Sequence, residues 1–102
     1  MSISQILQSK RTQILQIASR HGARKVRIFG SVARGTARRN SDIDFLVDME
    51  EGRSLLDHGA LILDLERLLK RPVDVATGRG LRPVVRRRIL KGAIPVNELL
   101  WG

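Results

Sequence analysis

Three aspartates set in strand-forming segments are the residues of this sequence best suited to chemistry. Asp42 and Asp44 stand two residues apart at the start of the apolar segment 43–48, and Asp74 stands between two valines. Side chains two apart in a strand share a face, so Asp42 and Asp44 should project together, opposite the apolar side chains. Two adjacent carboxylates repel each other unless a cation compensates, and their hard oxygens suit Mg²⁺ or Mn²⁺. If the strand of Asp74 lies beside the first strand, it completes a triad.

Ordinary ion pairing is the alternative explanation of these aspartates. Asp42 would then cap the strand or its loop, and the other two would pair with nearby arginines: Arg27 or Arg39 for Asp44, and Arg71 for Asp74. Spacing alone does not separate this explanation from the metal site. Asp48 has the same parity as Asp44, but the residues after it indicate a solvated strand end.

A possible anion-binding turn precedes the acidic pair. Residues 30–35, Gly-Ser-Val-Ala-Arg-Gly, follow a predicted strand and open a possible helix, where backbone N–H groups and the helix dipole favour an anion. Gly30 would let a phosphate approach the backbone, Ser31 offers a hydroxyl, and Arg34 offers a guanidinium. A glycine and serine after a strand also form a common turn, and this is not a Walker A loop. The acidic pair shortly after Gly35 favours a polyphosphate cradle beside a metal site, the equipment of phosphoryl transfer.

The elements that must position these residues alternate along the chain. The pattern predicts helices over 3–20, 31–36, 54–70 and 81–91, and strands over 26–29, 43–48 and 73–76, with 94–96 extended. Ser54 and Asp57 have the spacing of a capping box at the start of the third helix. The order α-β-α-β-α-β-α, with no repeat or linker, predicts one small α+β (α/β) domain over residues 1–102.

Length, composition and charge exclude several classes. The chain has 102 residues, 42% of them hydrophobic and none of them cysteine, which predicts an aliphatic core rather than disorder and fits a cytoplasmic protein. No apolar run approaches the roughly 18–20 residues of a membrane span, and no signal peptide is visible. The net charge of +9 first suggests nucleic-acid binding. However, nine of the ten acidic residues lie between 40 and 75, between basic segments, as a metal–polyphosphate site would require.

Taken together, the motifs resemble the nucleotidyltransferase superfamily that includes DNA polymerase beta, and by length its minimal prokaryotic members. The resemblance covers about residues 24–96 and rests on three motifs: Gly30-Ser31-x-x-Arg34-Gly35, Ser41-Asp42-Ile43-Asp44 and Val73-Asp74-Val75. It implies a short mixed β-sheet with helices on one face. It also implies that Gly30 and Ser31 hold the nucleotide triphosphate with Arg34 in support. Asp42 and Asp44 would then bind Mg²⁺ or Mn²⁺, with Asp74 as the third catalytic and metal-binding carboxylate.

The same resemblance implies an activity and a partner. Minimal nucleotidyltransferases pair with an all-helical HEPN-domain toxin, and in the better understood pairs they act as the antitoxin. They transfer AMP from ATP to a toxin tyrosine and release pyrophosphate. We therefore expect a Mg²⁺-dependent protein adenylyltransferase that forms a cytoplasmic hetero-oligomer with its toxin. The open alternatives are a non-catalytic antitoxin that masks its toxin by contact, and a nucleotidyltransferase acting on a small molecule.

Three further features have plain structural explanations. Arg86-Arg87-Arg88 could bind nucleic acid directly, but a solvated basic helix face is favoured. Arg53 and His58 have the spacing of a HEPN ribonuclease motif without its tyrosine, so His58 is expected on a helix surface. The apolar tail, residues 96–101, should pack on the chain's own core, with a partner interface as the alternative.

Overall fold

Five helices and four strands alternate along residues 2–38 and 40–99, the part of the chain that the computed structural model describes. The helices are α1 (Ile3–Ser9), α2 (Arg11–Arg20), α3 (Gly30–Arg34), α4 (Leu55–Leu69) and α5 (Pro83–Gly92). The strands are β1 (Ala23–Phe29), β2 (Ile43–Met49), β3 (Val73–Thr77) and β4 (Ile94–Pro95). Single 3₁₀ turns cover Gly78–Gly80 and Val96–Glu98. The predicted order of elements is confirmed.

The four strands form one mixed sheet in the order β3-β2-β1-β4. β1 pairs antiparallel with both β2 and β4, whereas β2 and β3 are parallel. Parallel neighbours cannot be joined by a tight turn, and α4 supplies the long connection between them. The predicted mixed α/β fold is therefore confirmed, and β2 occupies the interior of the sheet between both partners.

The core is aliphatic except for Phe45 among the described residues, and it forms where α1, α2 and α4 meet the sheet. The predicted apolar face of β2 is confirmed, because Ile43, Phe45 and Val47 are almost completely buried. Leu61, Leu65 and Leu69 of α4 recur every four residues and pack into the same cluster. The predicted capping box is present as well: the Ser54 side chain accepts a hydrogen bond from the backbone at the start of α4, and Asp57 accepts one from the Ser54 N–H. These contacts fix the sheet that carries the aspartates.

The first helix and the first strand differ most from the sequence prediction, and the ends of the other predicted elements agree within two residues. The helix predicted over 3–20 is kinked at Lys10, although the N–H of Lys10 still reaches the Ile6 carbonyl and its carbonyl still accepts from Ile14. The strand predicted from 26 begins at Ala23, because β1 contains a bulge between Arg24 and Arg27 that breaks the alternation on which the prediction depends.

The tail and the histidines have structural roles. Val96 and Leu99 are fully buried in the main core, as expected, while residues 100–102 of the tail lie outside the described part. His58 is half-buried rather than on the surface, because its Nε2 lies 2.8 Å from the Val75 carbonyl oxygen. His21, at the end of α2 as predicted, meets Asp64 of α4 at 2.6 Å. None of the helices in the described residues has the length and apolarity to cross a bilayer.

Candidate active site

The turn that starts at Gly30 joins β1 directly to α3. Phe29 ends the strand and Gly30 begins the helix, with φ of +74°, a conformation that glycine adopts without the strain of a Cβ. Among described side chains, none caps the first turn of α3. A side chain of the described residues therefore does not compete there with an external acceptor for the first backbone N–H groups of α3, the groups that bind an oxyanion at a helix start.

Gly30 lies directly against one of the predicted carboxylates. A Cβ built on Gly30 would collide with Oδ2 of Asp44. A side chain at position 30 would therefore displace the Asp44 carboxylate or the turn itself. The lack of a side chain brings the predicted phosphate-binding turn and the predicted metal-binding residue into contact.

The sheet places Asp44 and Asp74 side by side. β2 and β3 run parallel in a register that pairs Asp44 with Asp74, and on the other side Phe29 of β1 pairs with Asp44. Paired residues on neighbouring strands are about 4.8 Å apart and present their side chains to the same face. Asp42 is exposed and precedes β2 by one residue. Asp44 and Asp74 therefore lie side by side near the start of β2, and Asp42 lies directly before this strand.

The other two aspartates both influence the electrostatics of Asp44. Its pKa is raised from the ordinary value, first because the carboxyl is partly buried and then because Asp74 and Asp42 repel its charge. Arg34 acts in the opposite direction and lowers the pKa. The guanidinium at the end of α3 thus also lies within electrostatic reach of the carboxylates. Its single charge does not offset burial and two negative neighbours.

The donor set fits a divalent cation shared with a ligand better than a closed protein cage. Within residues 2–38 and 40–99, no three acidic, histidine or cysteine side chains are arranged to hold a metal by themselves. Mg²⁺ in proteins is typically held by one or two carboxylates together with substrate phosphates. The mutual repulsion that raises the pKa of Asp44 is also the repulsion that a cation would relieve.

A groove that the sequence did not indicate opens at the other end of β2. It has a volume of about 640 Å³, and its walls include Asp48, Gly78 and Arg86, but none of the six predicted site residues lines it. Gly78 marks a close approach, since a Cβ there would lie 2.9 Å from an Asp48 oxygen and 3.2 Å from Arg86 Nε. The sequence did not predict this approach, because Asp48 at the end of β2 and Arg86 in α5 are far apart along the chain and share no local pattern. The groove also gathers charges, but its glutamates pair with arginines: Glu50 with Arg53, and Glu51 with Arg79. We take the carboxylate cluster as the candidate site, because its aspartates repel one another and would gain from a cation.

A family profile and named relatives match most of this chain, including the region of the three motifs. The profile of the nucleotidyltransferase domain family matches residues 11–96. A candidate protein adenylyltransferase of Methanocaldococcus jannaschii is 41% identical over 94% of this chain and 99% of its own length. The protein adenylyltransferase MntA of Thermococcus cleftensis is 37% identical over 79% of this chain and 82% of its own length.

Solved structures of other proteins have the same fold. A structure described as a candidate minimal nucleotidyltransferase has a TM-score of 0.85 and 52% identity, covering 93% of this chain and 96% of that one. A toxin–antitoxin complex with AMP-PNP matches with a TM-score of 0.73 over 90% of this chain and 73% of its own, and at 23% identity this likeness shows the fold alone. The family profile, the matching fold and the placement of Asp44 between Gly30 and Asp74 agree: the chain belongs to the nucleotidyltransferase domain family.

Proposed function

We propose that this protein transfers AMP from ATP to a tyrosine hydroxyl of a partner HEPN-domain toxin and thereby neutralises the toxin. The observation that carries the proposal is the register of β2 and β3, which sets Asp44 beside Asp74 while Gly30 lies against Asp44. The names of the relatives support protein adenylylation, and the toxin–antitoxin structure of the same fold fits a toxin partner.

The residues have distinct roles in this reaction. The open N–H groups at Gly30 and Ser31, with the Arg34 guanidinium, hold the phosphates of ATP. Asp42 and Asp44 would hold Mg²⁺, which supplies positive charge to the phosphate oxygens and to the attacking hydroxyl. Most of the rate enhancement then comes from positioning and charge neutralisation.

Transfer requires one bond to form and one to break at the α-phosphorus. The tyrosine oxygen attacks this atom as the bond to the bridging oxygen of the β-phosphate breaks, and pyrophosphate leaves. Asp74, exposed on β3 and in register with Asp44, accepts the proton of the tyrosine. The product is a phosphodiester between the tyrosine and the AMP.

The test uses the product of the adjacent gene as the acceptor. The protein is incubated with that product, Mg²⁺ and ATP labelled at the α-phosphate, and we expect label on the partner. Asp42→Asn should abolish labelling without unfolding the chain, since Asp42 is exposed and outside β2. Glu51→Gln is the control, because its side chain is 89% exposed and lies beyond the other end of β2. It should leave labelling unchanged.

Other outcomes assign a different function. A tight complex that protects against the toxin without any label would show masking by contact. Label on a small molecule, with none on protein, would show a small-molecule nucleotidyltransferase. Equal labelling by wild type and Asp42→Asn would show that the Asp42 carboxylate has no part in the transfer.

A further inference from the structure

The outer face of α5 is a strongly basic surface that the proposed mechanism does not use. Its cations are four arginines and a lysine, all on α5 except Arg82, which directly precedes it: Arg82, Arg86, Arg87, Arg88 and Lys91. No acidic residue occurs anywhere between positions 76 and 97. Residues 82–88 are all exposed, and α5 buries none of its side chains. The α5 surface therefore carries a concentrated charge that its own segment does not balance.

The α5 surface also exposes apolar side chains. Val84 is 59% exposed and Val85 is 40% exposed, both in the first turn of the helix. A ten-residue helix is marginal by itself, and most helical stability in proteins comes from packing an apolar face. Apolar groups among arginines are typical of protein interfaces, where arginine is enriched and lysine is depleted.

The position of α5 connects this surface to the candidate active site. α5 packs against α3, the helix that begins at Gly30 beside Asp44. α5 also contacts β1, and its Arg86 lies against Gly78, close to the carboxylate of Asp48 at the far end of the strand that carries Asp44. A macromolecule bound to α5 would thus lie next to α3, the helix that begins at the proposed phosphate-binding turn.

We propose that the α5 surface docks the acceptor protein through an acidic, partly apolar face next to the hydroxyl that receives AMP. This inference rests on the proposed transfer to a protein. A protein is favoured over single-stranded nucleic acid for two reasons: α5 offers two valines for apolar contact, and it has no aromatic side chain on which a base could stack. The surface thus adds substrate recognition to a site whose other residues bind only the nucleotide.

The test measures peptide binding separately from transfer. One fluorescent helical peptide carries a single tyrosine flanked by glutamates, and a second carries lysines in their place. Fluorescence anisotropy at low salt should show at least about tenfold tighter binding of the acidic peptide, because exposed charges at this density attract it. Arg87→Glu/Arg88→Glu should weaken that binding about tenfold, a change that corresponds to about 1.4 kcal/mol.

A second double variant controls for net charge. Arg24→Glu/Arg67→Glu alters the charge by the same amount on β1 and α4, where these side chains are 73% and 79% exposed. It should retain the binding of the acidic peptide. Equal affinity for the two peptides, or equal weakening in both double variants, would overturn the inference. The inference would also be overturned if an RNA oligonucleotide bound wild type more tightly than the acidic peptide and lost that binding in Arg87→Glu/Arg88→Glu.

The binding assay needs no chemistry, so its failure differs from that of the proposed function. If the acidic peptide binds at α5 but neither it nor the adjacent-gene product receives AMP, the transferase proposal fails and docking stands. If both peptides are labelled with equal kcat/KM, the transferase proposal stands and docking at α5 is wrong.

Discussion

Substitution of Gly30 by alanine separates the role of this residue at the site from its role in the fold. Gly30 has φ of +74° and Gly52 has φ of +84°, so an alanine at either position meets similar backbone strain. This strain costs about 1–2 kcal/mol of stability for a residue with a Cβ. The two positions differ in their surroundings: the new Cβ collides with Oδ2 of Asp44 at position 30 and meets open space at position 52.

The collision sets the expected size of the effect on activity. Ordinary contact of a Cβ begins near 3.4 Å, so the Asp44 carboxylate must retreat by about 1 Å. A displacement of that size at a catalytic group costs about a hundredfold in rate. Because the carboxylate is the end of a side chain that can rotate, we expect Gly30→Ala and Gly52→Ala to lose similar stability. Only Gly30→Ala should lose about a hundredfold in AMP transfer.

Urea unfolding and single-turnover transfer from labelled ATP measure the two quantities on the same preparations. Gly52→Ala is expected to unfold at lower urea than wild type and to transfer AMP at the wild-type rate when fully folded. Transfer by Gly30→Ala within about threefold of Gly52→Ala would show that the collision with Asp44 does not matter for activity. The reasoning is also refuted if both variants lose transfer equally, since strain alone would then explain the loss.

Four further predictions concern stability. Asp44→Asn should abolish AMP transfer but melt at or above the wild-type temperature at neutral pH. The pKa of Asp44 is raised in the folded chain, so its ionisation costs stability as pH rises through that pKa, and asparagine removes this cost. A lower melting temperature would contradict this. Gly59→Ala, in α4 with open space for the Cβ, should stabilise the chain by about 0.5–1 kcal/mol in urea unfolding, and destabilisation would show a hidden contact. Ser54→Ala should cost about 1 kcal/mol. The pKa of Asp57 is lowered, chiefly because its carboxylate accepts a hydrogen bond from the Ser54 N–H. The stability that Asp57 adds should therefore be complete above its ordinary pKa of 3.8 and disappear as pH falls through the lowered value. A difference in stability between wild type and Asp57→Asn that does not change with pH would contradict this.

The sequence by itself determined the local elements and the residue types of the site. Alternation around Phe45 predicted the buried face of β2, and the spacing of Ser54 and Asp57 predicted the start of α4. The motif at Gly30 predicted a strand-to-helix turn, and the structure has this turn at the same position. These features are readable because each depends on side chains within a few residues of one another.

Tertiary structure decided which of these residues meet. Asp44 and Asp74 are thirty positions apart, and their pairing depends on the register of two parallel strands that α4 connects. A shift of one residue would turn one aspartate to the opposite face, and only packing of the whole apolar face against the helices sets the register. The contact of Gly30 with Asp44, the bulge in β1 and the position of α5 beside α3 also depend on distant segments. Local patterns carry no information about such partners, because the free energy that selects them comes from burial shared across the whole fold.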